Sequence, residues 1–366
     1  MTRVAAFTDT YLPTVNGVTY TIESWRDHWN VEHGRMDVIY PGSDGHVSNQ
    51  YEHAVRSVPF PFYDGFRIGA PRIPESVPTA DVAHAHTPFG LGLAARRYAN
   101  ANGLPFVASY HTPAAEYAEY LTSRDTVLSG ISAVSEAYER WFYDSADRVL
   151  APSEPTKRHL VDDVGISTPV HVVPNGIDTN RFQPADGDAF RDRHDLNGRL
   201  VGYTGRHGYE KQLADLIDAA TDLDDVTLVF GGDGPAREDL ERRAHERDVD
   251  ARFLGFLDRD ELAAFYSALD VFAFPSPVET QGLVALEANA CGTPVTGVDA
   301  GALADTIVDD ETGYHYQPGD IDGFRAAIDQ ALDERDQLSR NCLDRRDRVS
   351  TENAVAELHQ HYDAVR

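Results

Sequence analysis

Residues Pro275 to Val295 read PSPVETQGLVALEANACGTPV and come directly after an apolar run, Val271 to Phe274. This pattern predicts a buried strand, a Pro-containing loop, a helix from about Gly282 and another strand after Thr293. A loop in that position presents free backbone N–H groups at the N-terminus of a helix, which is where an anionic phosphate group is best bound. The stretch therefore predicts a strand–loop–helix unit of an α/β sheet with an anion-binding loop.

Two carboxylates accompany the predicted loop, Glu279 within it and Glu287 on the helix, eight positions further on. As phosphate ligands they make no sense because like charges repel, but they suit sugar hydroxyls, which donate hydrogen bonds. An ordinary buried helix that opens with a Glu near its positive end would explain either acid separately. It does not explain the whole run.

The pattern Pro-Ser-x-x-Glu, then Gly, then Glu-Ala-x-Ala-x-Gly-x-Pro-Val resembles the E-x7-E region of retaining glycosyltransferases of family 4. The resemblance implies the GT-B fold, which has two doubly wound, Rossmann-like α/β domains facing across a cleft. We expect an acceptor-binding domain at residues 1–173, with a terminal helix at about 350–366 crossing back onto it. A nucleotide-sugar-binding domain is expected at residues 174–349, after the turn signal Pro174-Asn175-Gly176-Ile177-Asp178.

Composition narrows the class of protein. The 366 residues suffice for two domains, and a net charge of -28 argues against a nucleic-acid binder, which needs a basic face. Lys157 and Lys211 are the only lysines, and an acidic, Lys-poor chain is typical of a halophilic, here a haloarchaeal, protein. Two cysteines form no disulfide framework, and we find neither a signal peptide nor a membrane-length apolar run. We therefore expect a cytoplasmic protein, either soluble or in peripheral contact with the inner face of the membrane.

The N-terminal half offers two further motifs. Phe-Thr-Asp-x-Tyr-x-Pro-x-x-Asn-Gly-Val, ending at Val18, resembles the start of the family 4 enzymes that act on membrane lipids. In them Gly17 would lie against the donor diphosphate, and Gly permits that close approach. Tyr110-His111-Thr112 resembles the family sequence that places a His, here His111, beside the transferred sugar. His84 and His86 alternate along a predicted strand, but no third ligand stands nearby, so we expect no metal site.

The C-terminal half begins with Gly205-Arg206-His207-Gly208-Tyr209-Glu210-Lys211. Arg206 and Lys211 lie five apart across a strand-to-helix turn, so both could converge on a diphosphate. The alternative is two solvated surface cations. The segment resembles the family pattern Gly-Arg-…-Glu-Lys-Gly, with Gln212 at the last Gly. The donor-binding residues that the resemblance implies are Gly17, Arg206, Lys211, Gly234, Gly255, Thr280, Gly282, Leu283 and Glu287.

The resemblance implies that His111, Glu279, Arg206 and Lys211 are the catalytic residues. We expect hexose transfer from a nucleoside-diphosphate sugar to a hydroxyl on a lipid or glycan acceptor, with retention of configuration. No metal is expected, and no cofactor, because pyridoxal phosphate needs a Schiff-base lysine and neither lysine suits. Two alternatives remain open: a nucleotide-sugar epimerase or hydrolase, and a non-catalytic nucleotide-sugar-binding subunit. The base, the hexose and the acceptor are open as well.

The aromatic-rich segment from Ala114 to Ala146 is expected to be largely helical and to contribute to the core, while part of it could contact an apolar acceptor or a bilayer surface. Residues Pro59 to Pro78 are rich in Pro, Gly and aromatics, which predicts a loop rather than a core element. That loop could border the acceptor site or simply pack on the surface.

Overall fold

The computed structural model describes residues 1–59, 67–111 and 135–366. They form two compact units. The first comprises Met1–Asn175 with Thr351–Arg366, and the second comprises Gly176–Ser350. The first junction lies inside the turn sequence that follows Val173, where Asn and Gly favour a change of chain direction.

The strands are β1 (Thr2–Phe7), β2 (Gly34–Pro41), β3 (Glu52–Val55), β4 (Ser57–Pro59), β5 (Arg67–Gly69), β6 (Val82–Ala85), β7 (Phe106–Ser109), β8 (Arg148–Ala151), β9 (Val170–Val172), β10 (Arg199–Thr204), β11 (Val226–Gly231), β12 (Ala251–Gly255), β13 (Val271–Phe274), β14 (Val295–Val298) and β15 (Gly313–Tyr316). The α-helices are α1 (Gly17–Glu32), α2 (Gly90–Asn102), α3 (Glu154–Arg158), α4 (Gly187–Arg193), α5 (Leu213–Ala220), α6 (Arg237–Glu246), α7 (Leu262–Ala268), α8 (Leu283–Ala290), α9 (Leu303–Thr306), α10 (Ile321–Asp333), α11 (Arg335–Arg345) and α12 (Thr351–Asp363). Residues 135–143 are helical too, a π-helical turn spans His159–Asp163, and 3-10 turns span Tyr209–Lys211 and Arg346–Val349.

The first unit is built on a seven-stranded sheet in the order β3-β2-β1-β6-β7-β8-β9, with every neighbouring pair parallel. Strands β4 and β5 form a separate antiparallel pair. Because β1 lies between β2 and β6, the strand order reverses there, and the crevice outside the carboxyl ends of the strands at such a point is where α/β sheets bind ligands.

Side-chain hydrogen bonds stabilise the N-termini of α1 and α2, the two helices that border this crevice. Asn16 caps α1, since its side-chain oxygen accepts a hydrogen bond from the backbone N–H of Thr19 at 2.9 Å. Helix α2 has no capping side chain of its own. Instead Asp9, in the loop after β1, accepts a hydrogen bond from the backbone N–H of Leu91 at 2.9 Å and another from Thr87 Oγ1 at 2.7 Å. Burial raises the pKa of Asp9, against the opposing effect of these hydrogen bonds.

The second unit is a six-stranded sheet in the order β12-β11-β10-β13-β14-β15, again with every neighbouring pair parallel. Strands of a parallel sheet covered by helices on both faces are mostly apolar, as in β13, which reads VFAF. Val201, Phe230 and Phe272 are fully buried. The same order reversal occurs between β10 and β13, so the carboxyl edge at these strands is the expected ligand-binding edge.

Two doubly wound parallel sheets confirm the fold class predicted from the sequence. One local prediction needs correction, because residues Pro59 to Pro78, expected to be a loop, contain strand β5. The sequence makes no prediction of helix α4 or of the division at Glu334 between α10 and α11. Most of the predicted helical segment from Ala114 to Ala146 lies outside the described residues. Within the parts of the chain that the structure describes, none of the helices is both long and apolar enough to cross a membrane.

Candidate active site

Four loops of the second unit meet at the carboxyl edge of its sheet, after β10, β11, β12 and β13. The His207 backbone N–H donates to Asp233 O at 2.8 Å, which ties the first loop to the second. The Gly232 N–H donates to Gly255 O at 2.6 Å, which ties the second to the third. The Lys211 side chain reaches the fourth loop at Glu279. The predicted donor-binding residues of this unit therefore stand on loops that are bonded to one another.

Lys211 and Glu279 form an ion pair, with Lys211 Nζ 2.7 Å from Glu279 Oε1. Ser276 donates to the same carboxylate oxygen at 2.8 Å and is itself fully buried. The paired side chains are only 20% and 17% exposed, so their attraction is screened less than that of a surface pair. One cation and one carboxylate predicted from the sequence are thus adjacent in space although 68 positions separate them.

Arg206 is held differently from Lys211. Its Nη2 lies 2.6 Å from Glu210 Oε1, four positions along the chain, and the two side chains are 38% and 23% exposed. Each of the two cations predicted to bind a diphosphate therefore has a carboxylate beside it. An incoming diphosphate would compete with Glu210 and Glu279 for these two cations.

Glycines shape the loops that carry the site. A Cβ on Gly234 would come within 2.6 to 2.8 Å of the backbone of His207, so a side chain there would push the first loop away. Gly255 and Gly282 have φ values of 75° and 76°, in the left-handed region that favours Gly. Gly282 immediately precedes α8, whose first residue is the half-buried Leu283, while Thr280 lies half-buried in the loop.

Glu287 is buried on α8, and Tyr266 Oη from α7 donates to its Oε2 at 2.7 Å. Burial raises the pKa of Glu287 to about 7, with the Tyr266 hydrogen bond and the charges of Arg259 and Arg181 acting in the opposite direction. Burial therefore favours the protonated form of this carboxyl group. A group in this condition can accept hydrogen bonds from hydroxyl donors, and its strength as an acceptor depends on pH.

His111 and Gly17 belong to the first unit. Gly17 opens α1, and the next residue, Val18, lines a small cavity together with His111 and His86. His111 Nε2 lies 3.0 Å from His86 Nδ1, and the two rings stack at 5.3 Å with an interplanar angle of 11°. Burial lowers the pKa of His111 to about 4, against the effect of a hydrogen bond with the side chain of Asn175.

Sequence reasoning did not find the partners of these residues. Tyr266 gives no signal, because an isolated hydroxyl carries no spacing pattern. Ser276 stands in the Pro-Ser-x-x-Glu motif, but the motif alone names no partner for it. Glu210 stands inside the Arg-to-Lys motif, but the predicted partner of Arg206 was a phosphate rather than a carboxylate. The sequence presents His86 only as a possible metal ligand that alternates with His84 along a predicted strand, and it gives no sign of the contact with His111.

The sequence of the chain was compared with protein families and with known proteins. Residues 15–181 match the profile "Glycosyltransferase Family 4", and residues 187–348 match "Glycosyl transferases group 1". Alpha-monoglucosyldiacylglycerol synthase of Streptococcus pneumoniae is 28% identical over 387 aligned positions, covering 99% of this chain and 86% of that protein. A GDP-mannose-dependent alpha-mannosyltransferase of Mycolicibacterium smegmatis is 32% identical over 344 positions, covering 90% and 88%.

Among solved structures, sucrose-phosphate synthase from Thermosynechococcus elongatus superimposes with a TM-score of 0.81 at 20% identity, over 100% of this chain and 99% of that one. This likeness concerns the fold, which is the GT-B fold in both. The two profiles together with the mannosyltransferase, 32% identical over most of both chains, establish more than the fold. The chain belongs to family 4 of the glycosyltransferases and is an enzyme that transfers a sugar from a nucleotide-sugar.

Proposed function

We propose that the protein transfers a hexose from a nucleoside-diphosphate sugar to a hydroxyl of a membrane lipid, with retention of anomeric configuration. The observation that carries the proposal is the ion pair between Lys211 and Glu279 at the carboxyl edge of the second sheet. It places a cation suited to binding phosphate 2.7 Å from a carboxylate suited to binding sugar hydroxyls. A sugar bound through a diphosphate needs this combination at the bond that breaks.

The leaving group is a nucleoside diphosphate, so negative charge develops on its phosphate oxygens as the sugar departs. Fixed cations and backbone N–H groups stabilise that charge in the transition state. Arg206 and Lys211 supply the cations, and the backbone at Gly282 supplies donors at the start of α8. The same role is assigned to Gly17 through the family motif.

The sugar and ribose hydroxyls need hydrogen-bond acceptors. Glu279 accepts a hydrogen bond from a hydroxyl of the donor sugar. Glu287 accepts hydrogen bonds from the ribose hydroxyls through Oε1, while Tyr266 Oη donates to its Oε2. Gly234, Gly255, Thr280 and Leu283 complete the nucleotide site through their backbone. His111 borders the reacting centre, and the acceptor hydroxyl attacks on the face from which the diphosphate leaves.

A lipid acceptor is supported by the N-terminal motif and by the name of the Streptococcus pneumoniae relative, which is a diacylglycerol glucoside synthase. In the first unit Trp141 is 47% exposed, and the guanidinium of Arg96 lies 4.8 Å from the centre of its ring. An exposed Trp beside a cation suits the headgroup level of a bilayer. We therefore propose peripheral contact of this unit with a membrane.

The test is incubation with labelled UDP- and GDP-hexoses and either diacylglycerol vesicles or water-soluble sugars. Label in the lipid phase supports the proposal and names the donor at the same time. Label only in a soluble glycan overturns the lipid acceptor. Sugar release or conversion without any acceptor overturns transfer itself in favour of a hydrolase or an epimerase.

The residue roles are tested separately. Arg206→Ala and Lys211→Ala should each lower kcat/KM by about 100-fold, because an electrostatic group at the transition state contributes on the order of 3 kcal/mol. Arg193 offers a matched control, since it is an exposed cation of the same unit paired with Glu261. Arg193→Ala should leave kcat/KM within about two-fold. Wild-type rates in a folded Lys211→Ala protein would remove the phosphate role.

We also propose that the protein works in concentrated salt, as in a haloarchaeon. A net charge of -28 with only two lysines is the supporting observation. Salt screens the repulsion among carboxylates, so the unfolding temperature should rise steeply between about 0.1 and 2 M KCl. A flat dependence would overturn this proposal and leave the transferase proposal untouched.

A further inference from the structure

His86 is a buried residue that the proposed mechanism does not use. It follows β6, as His111 follows β7, and the two side chains are 1% and 8% exposed. The hydrogen bond between His86 Nδ1 and His111 Nε2 measures 3.0 Å, and the rings stack nearly parallel. His111 therefore has a fixed hydrogen-bonding neighbour whose ring plane is nearly parallel to its own.

The proton positions in this pair are linked. A hydrogen bond between two imidazole nitrogens contains one proton, so one ring donates and the other accepts. Burial lowers the pKa of both groups, and each ring is neutral at pH 7 with a single N–H. The side chain of Asn175 makes a hydrogen bond that favours a proton on His111. Which nitrogen of His111 carries the proton therefore depends on which nitrogen of His86 does, so a change at His86 alters the tautomer that His111 adopts.

If His86 served only to pack the core, an apolar ring would give a more stable protein. Its Nε2 has no hydrogen-bond partner among the described residues. A buried polar atom without a partner destabilises the folded state, whereas an apolar ring of similar shape would not. The ring also contacts the ring of Trp25 edge-on at 5.8 Å and that of His84 at 4.1 Å between ring centres, so these buried aromatic contacts set its orientation. A residue kept at such a cost, and aimed at a candidate catalytic side chain, points to a role in the site.

We propose that His86 is a positioning residue that fixes the ring orientation and the tautomer of His111 during sugar transfer. This inference rests on the proposed function, because it needs His111 at the reacting centre. In acyl transfer, a third group that orients a catalytic His in this way is a recurring device. Here the orienting group is itself an imidazole, held from behind by Trp25 and by His84.

Three substitutions separate positioning from packing. His86→Phe keeps a ring against His111 and removes both nitrogens. His86→Asn places an amide close to where Nδ1 stands and can still donate to His111. His86→Leu is the second apolar variant, used if Phe does not fold. Circular dichroism and thermal unfolding verify that each protein is folded.

We expect His86→Phe to lower kcat on the order of 10- to 100-fold, the range seen when an orienting partner is removed, with the donor KM within about two-fold. His86→Asn should stay within about three-fold of the wild-type kcat. In a His111→Ala background, His86→Phe should change kcat by less than about two-fold, because there is no ring left to orient.

The inference is overturned by wild-type kcat in a folded His86→Phe protein, or by an equal loss in the His111→Ala background. An equal loss in His86→Asn and His86→Phe also overturns it, since packing would then be the cause. These outcomes all presuppose an active wild-type enzyme. If the wild type transfers sugar from no donor, the proposed function fails instead, so the two failures are distinguishable.

Discussion

Lys211 Nζ lies 2.7 Å from Glu279 Oε1, so the cation proposed to hold the donor diphosphate is paired with the carboxylate proposed to hold the donor sugar. Separating the two side chains costs free energy, because Ser276 donates a hydrogen bond to the carboxylate and both side chains are largely buried. A donor that carries both a diphosphate and a sugar can replace both halves of this pair. A nucleoside diphosphate without sugar replaces only the carboxylate.

This asymmetry predicts opposite effects of Glu279→Gln on binding and on transfer. Without its counter-ion Lys211 is more available, so the affinity for a nucleoside diphosphate should rise on the order of three- to tenfold, the range of a partly buried ion pair. Sugar transfer should fall because the sugar hydroxyl loses a charged acceptor. Calorimetry with the nucleoside diphosphate and kcat/KM with the sugar donor check the two effects.

Glu210→Gln is the matched control, since Glu210 pairs with Arg206 and has no proposed contact with the sugar. It should strengthen diphosphate binding with little change in the rate of transfer. Weaker diphosphate binding by the Glu279→Gln protein would show that this carboxylate helps to hold the phosphate site together rather than competing for it.

Nucleotide-sugar affinity should depend on the ionisation of Glu287. Burial raises the pKa of this carboxyl to about 7, and ribose hydroxyls donate more strongly to a carboxylate than to a carboxylic acid. The affinity should therefore increase as pH rises from 6 to 8 (about the range of the titration) and then level off. Glu287→Gln should remove this increase, and the difference between the two proteins cancels other titrating groups. Parallel pH curves would exclude Glu287 from the ribose contact.

The same pKa shift has a consequence for stability. The carboxyl titrates at about 7 in the folded state against an ordinary value of 4.5, so between these pH values the folded protein keeps a proton that the unfolded chain has released. Stability therefore falls as pH rises through this window and levels off above 7. Glu287→Gln, which can still accept from Tyr266, should raise the free energy of unfolding by up to about 3 kcal/mol at pH 8 and very little below pH 5. Denaturant unfolding at both pH values tests this, and an equal effect at both would contradict it.

Gln212 has φ and ψ values of 51° and 34° and stands where the family pattern has Gly. Side chains in this left-handed conformation cost about 1–2 kcal/mol, partly offset because Gly makes the unfolded chain more flexible. Gln212→Gly should therefore stabilise the protein by about 0.5 kcal/mol, and Gln212→Val should destabilise it by about 1 kcal/mol. Gln337→Gly in helix α11 is the control of opposite sign, because Gly weakens an exposed helix interior. Destabilisation by Gln212→Gly in denaturant unfolding would contradict the argument.

The sequence predicts the regular parts of this molecule well because they follow from local periodicity. Strands such as Val271–Phe274 are continuous apolar runs, and the helices after them begin at Gly or Asn signals. Site residues that follow a strand, such as His111 and Lys211, can also be predicted, since a loop motif surrounds each of them. Helix α4 could not be predicted, because seven residues are too few to show an apolar period although Asp186 caps the helix. The division between α10 and α11 could not be predicted either, because Glu334 is neither of the usual stop residues, Gly and Pro.

Side-chain partners were beyond prediction for a different reason. Tyr266 and Glu287 are 21 positions apart and meet only because α7 packs against α8. Their hydrogen bond depends on that packing, and so does the burial that raises the pKa of the carboxyl. A pattern of residues can therefore name an acid at a site while leaving its ionisation undetermined. The same holds for His86, whose importance depends on the register of β6 against β7.

Tyr362 on helix α12 is hydrogen-bonded to His84, a buried residue of the central part of the first sheet. It is fully buried on α12, and its hydroxyl lies 2.5 Å from Nδ1 of His84, whose pKa burial lowers to about 3. Because His84 is neutral and Ser109 occupies its Nε2, Tyr362→Phe leaves a buried ring nitrogen without a partner. The free energy of unfolding should fall by about 1–3 kcal/mol. Tyr209→Phe is the control, since that ring is 64% exposed and its loss should cost less than about 0.5 kcal/mol. Equal stability of the Tyr362→Phe and wild-type proteins in denaturant would mean that His84 finds another partner, and the support that α12 gives the first unit would then not depend on this hydrogen bond.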